Sequence, residues 1–330
     1  MDLASLVDDA LEVSVVGSFS RIGYQVRRQV FAWHTPADGS LTGKSVLVTG
    51  PTSGLGRATA DAMADLGARV VLVGRSEARL GEVRDALTAR HGEDRFPIVV
   101  ADMGALASVR SAVRHVLETE DRLDVLVDNA GAIYPERIVG PDGIEATLAI
   151  MAVAPFVLVS GLLPLMGRTG DARVIGVTSG GMYTQAIDLD DLQWATEPFS
   201  GPRAYAKAKR VQVALAREWA RRLRMADRSD VRVNTMHPGW ADTPGLAEQL
   251  PAFYEVMRPV LRSPAEGIDT IAWLATDGEA GARGGQVFLD RRPRPFDRVP
   301  STRLSSLDRR RLWDIVVGLT GDPDPLPEPT

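Results

Sequence analysis

At 330 residues with 45% hydrophobic side chains, the chain has material for one large α/β domain or two small ones. A net charge of −5 with 25% charged residues creates no field suited to nucleic acid, so no nucleic-acid partner is expected. The absence of cysteine excludes disulfides, thiolate chemistry and Cys-ligated zinc; the four histidines (His34, His91, His115, His237) are not at metal-ligand spacing, so no metal site is expected.

Residues 1–40 read as an N-terminal helical extension. Its first residues are acidic (Asp2, Asp8, Asp9), which is wrong for a secretory signal, and the expected location is cytoplasmic. Between Val15 and Trp33, the residues Phe19, Ile22, Val26, Val30 and Trp33 recur at helical spacing, with Arg21, Arg27 and Arg28 between them. This predicts one amphipathic helix packed on the domain surface, with peripheral membrane or partner contact as the alternative.

From Lys44 onward short apolar runs alternate with helical segments. The predicted strands are Ser45–Thr49, Arg69–Val73, Phe96–Val100, Val125–Val127, Arg173–Thr178, Arg232–Met236 and Gln286–Leu289. Helical patterns such as Leu55–Leu66, Glu77–Arg90, Leu106–Glu118 and Ala204–Arg224 lie between them. That alternation predicts an α/β fold: a Rossmann-type doubly wound parallel sheet of about seven strands with helices on both faces. One domain then covers 41–290, with long loops at 180–203 and 237–263 leaving the carboxyl ends of strands, where ligands bind in such sheets. In the 291–330 segment, Arg291–Arg303 reads as a basic Pro-rich loop, Leu307–Gly318 as a helix and Asp322–Thr330 as a disordered tail. The uncharged stretch Ala146–Met166 is long enough to span a membrane, but Pro155, Gly161 and Pro164 and its place in the pattern favour a buried helix, so no transmembrane span is expected.

Thr49-Gly50-Pro51-Thr52-Ser53-Gly54-Leu55-Gly56 follows the first strand and opens a helix. Glycines permit a tight turn and close backbone approach, and the helix N-terminus offers N–H groups to a pyrophosphate. In an NAD site an acid about 20 residues on would hold the ribose 2′-hydroxyl. Here Gly74 stands there, followed by Arg75, which can pair a 2′-phosphate. NADP(H) is therefore the preferred cofactor and NAD(H) the alternative; Arg57 is a second candidate for the phosphate. Asp102 and Met103 after the third strand are placed to meet adenine. Asn129, Ala130 and Gly131 after the fourth are placed to pass close to the cofactor, and Pro238, Gly239 and Thr243 after the sixth to meet the nicotinamide.

Tyr205 and Lys209 stand four apart on one helical pattern and so share a face. A nearby ammonium is expected to lower the tyrosine pKa and make it a general acid/base for a carbonyl or carbinol. Ser179, just past the fifth strand, is placed to hydrogen-bond the substrate oxygen. Met182, Trp240 and Phe253 are expected to line an apolar substrate site, together with loop residues such as Trp194, Phe199, Leu246 and Tyr254.

These motifs, with Val177-Thr178-Ser179-Gly180-Gly181-Met182, Tyr205 through Gln212, and Met236-His237-Pro238-Gly239-Trp240, resemble the short-chain dehydrogenase/reductase superfamily across about Lys44 to Asp290. The resemblance implies an NADP-linked oxidoreductase, with Ser179, Tyr205 and Lys209 catalytic, acting on a hydrophobic small-molecule carbonyl or alcohol. It also implies a homodimer or homotetramer paired through the helices near Ala146–Met166 and Ala204–Arg224. Two positions depart from the pattern. Met151 stands where the resemblance implies an asparagine that helps hold a proton-relay water, and Asp128 stands where asparagine is usual. Pro155 lacks the N–H that would bond the Met151 carbonyl in an α-helix, so that carbonyl is expected to be free for the water. A non-catalytic NADP(H)-binding sensor or scaffold is the alternative function, supported by Met151. A lyase or epimerase on the same fold is a third reading, against which the chain lacks the nucleotide-sugar domain expected of many such enzymes.

Overall fold

A computed structural model describes residues 3–92 and 95–328. The chain opens with α1 (Leu3–Val13), α2 (Val15–Phe19) and α3 (Arg21–Val30), then enters β1 (Ser45–Thr49), α4 (Gly54–Asp65), β2 (Arg69–Gly74), α5 (Glu77–His91) and β3 (Ile98–Val100). α6 (Leu106–Thr119), β4 (Val125–Asp128), α7 (Ala146–Leu148), a π-helical turn (Ala149–Val153), α8 (Ala154–Met166) and β5 (Ala172–Val177) follow. The last part comprises α9 (Gly201–Met225), β6 (Val231–Met236), α10 (Pro244–Gln249), α11 (Pro251–Met257), α12 (Pro264–Thr276), β7 (Val287–Leu289), β8 (Arg292–Arg294) and α13 (Ser306–Thr320).

The strands form one sheet in the order β3-β2-β1-β4-β5-β6-β7-β8, parallel except for the last pair. The chain winds outward from β1 in one direction and from β4 in the other, which puts a crevice at their carboxyl ends. β1 and β4 are buried along their whole length, as strands covered on both faces must be. Leu47, Val71 and Leu126 pack toward α6, α8 and α9, whereas Val46, Val48 and Val70 pack toward α4, α5 and α12.

The eighth strand was not expected. Asp290 and Arg291 both adopt φ of 56°, the left-handed pair that makes a two-residue hairpin turn. That turn normally signals itself with glycine or asparagine; here Asp290 is held instead by ion pairs to Arg27 and Arg262. The basic loop expected at Arg291–Arg303 therefore begins as an antiparallel edge strand, where Pro293 is tolerated.

Two further expectations are corrected. The single helix over Val15–Trp33 breaks at Ser20, and its buried face is Gly23, Tyr24 and Arg27 while Ile22 is exposed. The tail is ordered as far as it is described: Asp322 pairs with Arg110, Asp324 with Arg222, and Leu326 is buried (Pro329 and Thr330 lie outside the described residues). α13 packs on α8 and α9, with its Trp313 fully buried at 4.7 Å from both Phe156 and Trp219. The apolar stretch Ala146–Met166 lies mostly in the core, packed by α6 and α9.

Candidate active site

The dinucleotide half of the cleft is made mostly of backbone. Gly50 and Gly54 have φ of 67° and 53°, a region that side chains disfavour. A Cβ on Gly56 would come 2.1 Å from the Gly50 carbonyl oxygen, so α4 can approach the loop only with glycine there. The Ser53 side chain does not cap α4, which leaves the first N–H groups facing the cleft. Gly50, Ser53, Gly54, Leu55, Gly56, Gly74, Arg75, Asp102, Met103, Asn129, Ala130, Gly131 and Thr243 all line this half, as the sequence suggests. Thr49 does not. Its hydroxyl is buried and accepts the N–H groups of Asn129 and Ala130 at 3.0 and 2.9 Å, so it shapes the neighbouring loop. Arg57 turns to Asp61 on its own helix. Arg79, which sequence reasoning missed, joins Arg75 at the cleft one helical turn later. Neither of these two guanidiniums has an acidic partner among the described residues.

The cleft continues through Leu55, Asn129, Gly131, Thr243 and Gly245 into a second cavity of about 250 Å³. Here β5 ends at Val177 and delivers Ser179, and α9 presents Tyr205 and Lys209; all three line the cavity beside Pro238 and Gly239. Ser179 is hydrogen-bonded to the Tyr205 phenol. Lys209 Nζ donates to the Val177 carbonyl at 2.7 Å and to Gln212 Oε1 at 3.5 Å, and lies 5.9 Å from the Tyr205 ring centre. That distance corrects one expectation. Burial raises the Tyr205 pKa above its usual value, opposed only by the Ser179 hydrogen bond, so the phenol is a protonated donor. Burial also lowers Lys209 to about 8 against the pull of Asp128, and raises Asp128 to about 6 against the charge of Lys209 and the Gln212 hydrogen bond.

The apolar wall consists of Ile133, Trp240, Ala241, Leu246 and Leu250. Of the predicted lining residues, Trp240 and Leu246 line the cavity and the others do not. Met182 is fully buried under the sheet edge against Phe19 and Val213. Phe253 stacks edge-on behind Trp240 at 5.2 Å. Trp194 is buried in its own loop, against Phe199 and the Lys207 ammonium. The wall is braced from the N-terminus: the Trp240 N–H donates to the Phe19 carbonyl at 2.8 Å, and the Phe19 ring packs on His237 at 4.4 Å. His237 accepts the Gly239 N–H on Nδ1, and burial among Arg262 and Arg298 keeps its pKa far below the usual value and the ring neutral.

The helix interruption near Met151 differs from the expectation. Over Ala149–Val153 the register is i→i+5, with the Ala154 N–H on the Ala149 carbonyl. In that register the donor missing at Pro155 belongs to the Ile150 carbonyl, one residue before Met151. The Met151 thioether instead points toward Gly131 beside Lys209.

This arrangement, a glycine cradle at a β1–α4 turn joined to a Ser-Tyr-Lys cluster at the ends of β5 and α9, defines a dinucleotide-dependent oxidoreductase of Rossmann type. The family model described as short chain dehydrogenase matches residues 44–252, and the chain belongs to that family. It is 35% identical to dehydrogenase/reductase SDR family member 12 of Homo sapiens over 276 residues, 83% of this chain and 85% of that protein. It is 31% identical to retinol dehydrogenase 14 of Mus musculus, over 86% of this chain and 87% of that one. Among solved structures it superimposes with a TM-score of 0.62 on a Beutenbergia cavernae protein described as an NAD(P)-dependent gluconate 5-dehydrogenase with NADP bound at low occupancy. That match is 27% identical and covers 77% of this chain and 97% of the other. The chain is accordingly an oxidoreductase of the CH–OH/C=O class.

Proposed function

We propose that the protein is an NADP(H)-dependent reductase or dehydrogenase that interconverts a carbonyl and an alcohol on a hydrophobic small molecule. The observation that carries this reading is the continuity of the two cavities: the Ser179, Tyr205 and Lys209 cluster stands where the glycine cradle opens into an apolar pocket. Arg75 and Arg79, with Gly74 in place of an acid, support a 2′-phosphate and hence NADP(H) over NAD(H). The wall of Ile133, Trp240, Leu246 and Leu250 supports an apolar substrate, in keeping with the name of the retinol dehydrogenase relative.

A nicotinamide dinucleotide, when bound, supplies or takes up the hydride. The chain's own groups handle the oxygen and the proton. Ser179 donates a hydrogen bond to the carbonyl oxygen and orients it. Tyr205 gives its phenolic proton to that oxygen as charge develops. Lys209, an ammonium below its pKa of about 8, stabilises the phenolate left behind. The Trp240 wall keeps water from the reacting carbon.

Fluorescence titration with NADPH and NADH, followed by turnover on a panel of hydrophobic aldehydes and ketones, tests the proposal. Tight NADPH binding with substrate-dependent oxidation is expected, falling by about 10²- to 10⁴-fold in Tyr205→Phe with binding retained. A non-catalytic NADP(H) binder is the second reading, favoured by Met151; tight binding without turnover on any of the panel would select it.

A further inference from the structure

Behind Lys209, away from the cleft, lies a polar cluster that the reaction as described does not use. Gln212 stands one turn along α9 from Lys209, and its amide nitrogen donates to Asp128 Oδ2 at 2.6 Å. A carboxylate can only accept, so this contact fixes the amide with its nitrogen toward Asp128 and its oxygen toward Lys209 Nζ. The lysine, the amide and the carboxylate are all buried. A small cavity of about 40 Å³ adjoins the carboxylate, bordered by Met151, Gly176, Gln212 and Thr235. The neighbours from the other packed elements are therefore uncharged, Thr49 on β1 included. Among the described residues Asp128 is the only carboxylate acting on Lys209, and Lys209 the only cation acting on Asp128.

We propose that Asp128 and Gln212 are positioning residues for Lys209, the carboxylate balancing the buried ammonium through an amide whose direction it fixes. The inference rests on the reading of Lys209 as a site residue. Two of the three lysine N–H bonds are then committed, to Val177 and Gln212, and the third is left for the cleft. The arrangement also sets a working range, because between about 6 and about 8 Asp128 is ionised while Lys209 keeps its proton.

The test needs no substrate. The chain has three lysines, Lys44, Lys207 and Lys209, so protein labelled with ¹³C at the lysine ε-carbon gives three signals to titrate by NMR. Lys44→Arg and Lys207→Arg each assign their own signal and so identify that of Lys209. The Lys209 midpoint is expected near 8 in the unmodified protein. It should fall by about one unit or more in Asp128→Asn, rise by about as much in Gln212→Glu, and return toward the starting value in the double variant, where the charge is moved but kept. A merely structural role would leave the midpoint in place, and equal midpoints in all four proteins would overturn the proposal. If Asp128→Asn does not fold, as judged by its circular dichroism melt, Gln212→Glu decides alone: an unmoved or lowered midpoint sinks the idea. In the active enzyme the basic limb of kcat against pH should follow the NMR midpoint. A protein that reduces no carbonyl yet shows these shifts keeps this inference and loses the proposed function.

Discussion

In the dinucleotide half of the cleft most lining groups sit on the turns directly after strands or in the helix turn that follows, and the surface is made largely by glycine backbone and a helix N-terminus. The substrate half is closed differently. Its wall at Trp240 is held by the Phe19 carbonyl, and the Arg262 guanidinium reaches Ser18 and Ser20 carbonyls more than 240 positions away while gripping both Asp290 oxygens at 2.6 and 2.9 Å. Arg27, fully buried in α3, meets Asp290, Asp8 and Glu12, each at 2.7 Å. One half is specified by short-range pattern; the other is an ionic clasp between the two ends of the chain.

The largest expected effect breaks the clasp. Arg27→Met leaves Asp8 and Asp290 short of a buried partner, at a cost of about 3–5 kcal/mol. Thermal melting should show that loss, and NADPH affinity measured on the remaining folded protein should change little, because the cradle lies elsewhere. Equal damage to cofactor binding would mean that the two halves are not separable. Gly56→Ala attacks the other half. Its Cβ meets the Gly50 carbonyl and the Asn129 amide, so about 1–3 kcal/mol of strain is expected, with weaker binding of NADPH and NADH alike in fluorescence titration.

A finer comparison lies within the dinucleotide half. Arg75→Ala should weaken NADPH by about tenfold, the worth of one charge-assisted contact, and leave NADH unchanged; the double change with Arg79→Ala should widen the gap. A parallel loss for both nucleotides would assign these arginines to the pyrophosphate. The last test is a pH slope. Asp128 has a folded pKa of about 6, above its ordinary value of 3.8, so the native state holds a proton that the unfolded chain releases. The stability it contributes is therefore present below about 4 and lost as pH rises through about 6. Urea midpoints of the unmodified protein relative to Asp128→Asn should fall across that window, and a rise would reverse the assigned sign.

The parallel sheet, the glycine cradle and the Ser179, Tyr205 and Lys209 cluster were legible because each rests on a local rule: a run buried on both faces, a turn that only glycine permits, residues four apart on one helix face. Arg79 could have been found by the same rule, one turn beyond Arg75. The N-terminal helix could be read as helical, but its register could not. Spacing turned Phe19 and Ile22 to the same side, whereas the structure buries Arg27 and exposes Ile22, since a guanidinium with three carboxylate partners outcompetes an isoleucine for the interior. The substrate lining failed for a related reason. Met182 lies in a single 3-10 turn and Phe253 in the seven-residue α11, elements too short for periodicity to report their direction, and they turned to Phe19 and Trp240 instead of the cavity.

The amino-acid sequence by itself determined what depends on neighbours in the chain: which segments are strands, where glycine lets backbone approach a phosphate, which loop ends carry the reactive groups. Only the tertiary structure decided what depends on charges meeting from distant positions. It set the edge hairpin held by Asp290, the C-terminal helix covering α8 and α9, the N-terminal brace on the substrate wall, and the pairing of Asp128 with Gln212 behind Lys209. Local steric rules act within a few residues and leave a pattern. A buried ion pair leaves none, because its partners need only be complementary in charge and brought together by the fold.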